Sequence, residues 1–121
     1  MSTQDQDAQL GNIELSIEQA QQMIDEADAL TRLHKNKDFK MVITDAFFQD
    51  ESKRAVLLRS DHEMQTPEKL AQVDNIITSI GGLFAFFNKV YTMGNMAKQS
   101  MAADQATRQE ILEEQLDEET L

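Results

Sequence analysis

One proline, Pro67, and four glycines are the only backbone breakers in 121 residues. Strand-and-turn folds need such residues at nearly every corner, so a chain this poor in them is directed toward long helices. Ala, Gln, Glu, Leu and Met are plentiful, Trp is missing and Tyr occurs once, which is the composition of a helix former. The length fits one modest domain. The expected fold class is all-α: a small helical bundle or helical hairpin assembly with a flexible N-terminus and a projecting acidic C-terminal helix or tail. Cysteine is absent, which excludes disulfides and thiolate metal sites.

Residues 1–13 (MSTQDQDAQLGNI) are too polar to bury a face and read as a disordered leader without the basic and apolar runs of a secretory signal. A first helix is predicted over 17–35. Ser16 is its candidate cap, Gln19 can complete a capping box, and Leu15 can staple onto Ala20. Ile17, Ala20, Met23, Ile24, Ala27, Leu30 and Leu33 then recur at spacings of three and four. Asn36-Lys37-Asp38 looks like a break, with Asp38 as the next cap. Phe39, Val42, Ile43, Ala46 and Phe47 form one apolar edge beyond it. Two readings stay open there: a stop and restart at Asp50, or one continuous helix over 39–59.

Residues 60–65 are a polar connector. Thr66-Pro67-Glu68 is the clearest helix start, with Thr as cap, Pro where its missing N–H costs nothing, and Glu at the positive end of the dipole. Leu70, Val73, Ile76, Ile77, Ile80, Leu83, Phe84, Phe87, Val90 and Tyr91 follow as a wide apolar stripe expected to end near Gly94. Leu70, Val73, Ile77, Ile80, Phe84 and Phe87 are expected to be largely buried against Ile24, Leu30, Val42 and Ile43. Gly81-Gly82 inside the stripe costs about 1 kcal/mol per glycine relative to Ala, which predicts a kink or a close helix crossing. The domain organisation is then a leader over 1–13, a helical domain over 14–94, and a weakly docked helix with an acidic tail over 95–121.

The formal charge of −11 sits mainly in the two ends: −3 over residues 1–15 and −5 over residues 95–121. No basic stripe exists to release counterions, so direct binding of nucleic acid is not expected. Residues 76–97 are long enough to span a membrane, but Asn88, Lys89 and Asn95 interrupt them and Gly81-Gly82 weakens them. They read as a buried helix, and no membrane partner is expected.

Chemistry-bearing groups are sparse. His34 falls beside Lys35 near a helix end, and His62 lies in a loop between Asp61 and Glu63, with no helix-spaced ligand beside either. Asp25, Glu26 and Asp28 fan around a helix instead of converging. No phosphate-cradling or nucleophile motif occurs. The expectation is a non-enzyme with no catalytic residue, cofactor or metal. Met93, Met96 and Met101 cluster where other apolar groups are few, and with Ile111, Leu112 and Leu116 they are the candidate partner-binding residues.

The runs Ala27-Asp28-Ala29-Leu30 with Arg32-Leu33, Asn36-Lys37-Asp38-Phe39-Lys40-Met41-Val42-Ile43, Asp45-Ala46-Phe47-Phe48, and Glu51 with Arg54-Ala55-Val56-Leu57-Leu58 resemble small helical proteins of tailed bacteriophages. In those a helix ends in a short Asn-x-Asp-Phe turn, a second follows, and a third carries an apolar stretch like Ile80-Gly81. The resemblance covers about two thirds of the chain and names no functional residue. It implies a virion-assembly setting, with a phage structural protein as partner and a location in the host cytoplasm or the virion. Self-association or a held partner is expected on a separate ground: so few helices cannot bury both sides of the apolar stripe over 76–91 together with Met93, Met96 and Met101. A scaffold, chaperone or head and connector component is the first expectation. An acidic inhibitor of a host nucleic-acid enzyme or defence protein is the alternative.

Overall fold

A computed structural model describes residues 2–120, and among them every regular element is helical. α1 spans Thr3–Lys35, α2 is the short turn Lys37–Phe39, a π-helix covers Lys40–Glu51, α3 covers Ser52–Arg59, a 3₁₀ turn covers His62–Met64, and α4 spans Pro67–Thr120. The all-α expectation holds. The chain divides into two compact units, a terminal unit of residues 1–28 with 90–121 and a central unit of residues 29–89.

In the terminal unit the two ends of the chain pair with each other. Asp7 accepts from Gln115 Nε2 at 3.3 Å, Ser16 Oγ donates to Asp104 Oδ2 at 2.7 Å, and Ala27 lies against Gly94. Partners on α4 fall in number as those on α1 rise, so the two segments run antiparallel. The covered positions of α1 (Gln6, Ile13, Ala20, Ala27) recur every seven residues, and Gly94, Ala97, Met101 and Asp104 on α4 alternate by three and four. That repeat is the seam of a two-helix coiled coil. Ala20, Ile24 and Ala97 form its packed centre, with Met23 and Met101 against them.

The expected leader over 1–13 is corrected by this pairing: α1 begins at Thr3, and Gln6 and Ile13 are buried. The weakly docked helix with an acidic tail expected over 95–121 is corrected likewise, because α4 runs through Gly94 to Thr120 and buries Ile111. Polar ends fold here because each supplies the other's missing face. Ser16 caps nothing. It sits mid-helix and spends its hydroxyl on Asp104.

In the central unit, the helix break falls where the sequence places it, but the cap is Asn36. Its side chain accepts from the amides of Asp38 and Phe39, both at 3.0 Å. From Lys37 to Arg59 the helical trace is continuous and Asp50 starts nothing. The middle of this run is wound with i→i+5 bonds, so residues four and five apart share a face. Phe39, Ile43, Phe48 and Ser52 accordingly fall on the half-buried side. Ser52 Oγ donates to the carbonyls of Phe48 and Gln49 where the winding returns to α. Pro67 opens α4 as expected, with Thr66 Oγ1 accepting from the Lys69 amide at 3.4 Å.

The buried stripe is narrower than the spacing suggests. Val73 and Ile80 are buried and Leu70 and Phe87 half-buried, but Ile77 and Phe84 are exposed, as is Val42. Gly81 and Gly82 mark no close crossing within the chain: a Cβ added at either meets nothing within 4 Å. At Gly94 a Cβ would stand 2.5 Å from that of Ala27, so the close approach of helices is there.

Candidate functional site

All six phenylalanines belong to the central unit. Phe87 is their hub, 6.0 Å from Phe39, 5.8 Å from Phe48 and 6.2 Å from Phe86 between ring centroids. His34 stands edge-on to Phe39 and Phe87 at 5.2 and 5.4 Å, and its Nδ1 lies 3.0 Å from the Leu30 carbonyl. The sequence places this histidine near a helix end beside Lys35. It is half-buried, and its ring extends the aromatic cluster. Phe48 also meets Phe84 edge to face at 5.7 Å. Such pairs favour offset or perpendicular rings and orient one another.

This cluster is open on its outer side. The central unit buries only Leu30, Ala55, Val73 and Ile80, whereas Leu33, Met41, Val42, Val56, Leu57, Ile77, Phe84 and Phe86 are all exposed. Leu57 is 73% and Phe84 56% exposed, which is high for side chains of that size. Val42, Ala46, Phe47 and Glu51, at the four- and five-residue spacing of the π-helix, line a shallow groove. Arg54 binds the Glu51 carboxylate at its rim through two guanidinium nitrogens. Their hydrogen bonds hold that carboxyl below its usual range and raise the guanidinium.

The six residues singled out from sequence do not form one strip. Met96, Leu112 and Leu116 are exposed, while Met93 and Met101 are half-buried along the coiled-coil seam and Ile111 is buried in it. Burial therefore corrects Ile111 as a partner-binding residue. Met93 and Met96 share a shallow groove with Met23 and Ala97. Most of the exposed large apolar side chains lie outside those six residues, on the central unit, where Ile77, Phe84 and Phe86 belong to a stripe that so few helices leave partly uncovered.

Among the described residues no three His, Asp or Glu side chains are placed to hold a metal ion. The charge divides sharply between the units. The terminal unit carries fourteen acids against two bases, Lys98 and Arg108, and the central unit eight acids against nine bases. By length and composition α4 could cross a membrane, and only 11% of its most apolar window is buried. The buried-helix reading of residues 76–97 is thus true of one face only.

These features define an all-helical protein whose ends pair as an acidic antiparallel coiled coil and whose charge-balanced central unit is rich in exposed apolar groups. No protein-family model matches the chain, and neither curated proteins nor solved structures provide a match.

Proposed function

We propose that this chain is a non-catalytic assembly protein that works by protein–protein contact through its central unit, in the virion-assembly setting implied by its resemblance to small tailed-phage proteins. The observation that supports this reading is the ratio of exposed to buried large apolar side chains in residues 29–89, eight against the three of Leu30, Val73 and Ile80. A domain that exposes this many large apolar side chains is a candidate for protein contact, since apolar surface left in water marks interaction sites. The partner on this reading is a phage structural protein, met in the host cytoplasm during head or connector assembly. Mass spectrometry of immature heads and purified virions tests it. The chain is expected in immature heads at least, and its absence from both particles would overturn the reading.

One observation favours a second reading, an acidic inhibitor of a host nucleic-acid enzyme or defence protein. Such a mimic needs dense acids on a folded surface, and the coiled coil of the terminal unit carries fourteen on a helical frame. Residues 1–15 and 95–121, when taken as separate tails, offered no such surface.

A further inference from the structure

A glycine inside a long helix costs about 1 kcal/mol relative to alanine, so it is informative to ask what uses the space it leaves. Ala27 uses that of Gly94, whereas nothing in this chain uses that of Gly81. Along α4, Asp74, Ile77, Gly81, Phe84 and Asn88 fall in one row beside the buried Val73 and Ile80. Arg59 Nε donates to the Asp74 carboxylate at 3.0 Å, and the rest of the row is uncharged. Ile77 is 40% and Phe84 56% exposed, one on each side of the bare backbone at Gly81.

We infer that this row is the contact surface for a second copy of the chain, with α4 crossing α4 antiparallel about a two-fold axis near Gly81. This rests on the proposed assembly function and gives that surface its first partner. Two features of the row favour a second copy over another occupant. It is self-complementary, as a two-fold contact requires: Ile77 and Phe84 lie nearly equidistant from Gly81, so each Ile77 meets the Phe84 of the other copy. The same operation sets Asp74 opposite Asn88, so no like charges are brought together. Charge points the same way. Fourteen acids against two bases make terminal units repel one another, whereas the central unit, at eight against nine, can meet its own kind without net repulsion. Gly81 lets the two backbones approach closely. About four turns of helix offer less than the roughly 800 Å² per partner of a standard interface, so the dimer is a weak one, formed at micromolar concentration.

The test compares the full chain with its Gly81→Gln variant by sedimentation equilibrium, from low micromolar to near-millimolar concentration. Thermal melting of both is followed at the dilute end. Glutamine is the better helix former and Gly81 has open space around it, so the dilute variant should melt no lower than the parent. Its dimer dissociation constant should rise about tenfold or more. A parent that stays monomeric overturns the inference, as does a dimer indifferent to Gly81→Gln. A variant whose dilute melting falls with its association overturns it too, since Gly81 would then be structural. Binding of the parent to phosphatidylcholine vesicles without dimer formation would assign the face to lipid and also overturn it. A monomeric chain still found in immature heads would sink this inference alone and leave the assembly function standing.

Discussion

Replacing Gly94 by leucine should lower the stability of the chain by about 3 kcal/mol, at the upper end of overpacking losses. Any Cβ at this position would lie 2.5 Å from that of Ala27 and 3.5 Å from the Met23 carbonyl oxygen. Neither neighbour is the loose end of a side chain, so the helices of the terminal unit must separate. Separation loosens Ala20, Ile24 and Ala97 together, because small residues pack only at short range. Gly94→Ala sets two terms against each other: about 1 kcal/mol gained in helix propensity, and the clash. The clash should win. Ala27→Gly in the same chain should then recover stability, with a coupling of roughly 1 kcal/mol in a double-mutant cycle. Urea midpoints at constant slope measure it. Purely additive effects would mean that the helices do not touch there.

Truncation after residue 108 carries the second large effect. It removes Ile111, buried to 6% exposure, and the Gln115 amide that donates to Asp7. Burying an isoleucine is worth about 1.5–3 kcal/mol, so a loss of that order is expected before the uncovering of α1 is added. Residues 3–13 should lose helical content as well, since without a partner they are a polar segment that nothing holds. Circular dichroism of the truncated chain and of Ile111→Ala follows both effects. Unchanged melting and helix content would return residues 109–121 to the status of a tail.

The helical class, the break at Asn36 and the start at Pro67 could be read from the sequence because each has a local cause. Few breakers, an Asn that caps two amides, and Thr-Pro-Glu act within a few residues of themselves. The pairing of the ends was not legible, and the reason is chemical. Gln6, Ser16 and Asp104 occupy seam positions normally held by apolar side chains, so a search for apolar recurrence passes over them. Gln6 is 1% exposed, a burial of a polar side chain that no local rule would select. The π-winding was hidden for a related reason. Its four- and five-residue spacing fits a 3.6-residue template imperfectly, which left one helix or two undecided over 39–59. The glycines show how far context outweighs type. Gly81-Gly82 looked like the crossing and Gly94 like an end, whereas the close approach within the chain is at Gly94.

The antiparallel union of the two chain ends is the centre of this fold, and a pair of spin labels tests it directly. The chain has no cysteine, so Asp7→Cys with Gln115→Cys places both labels without competing sites. Pulsed dipolar spectroscopy at dilute concentration should give one narrow, short distance, set by helices about 8–10 Å apart and two label arms. A broad distribution reaching several helix diameters would contradict the account and restore a leader and a tail in place of the coiled coil.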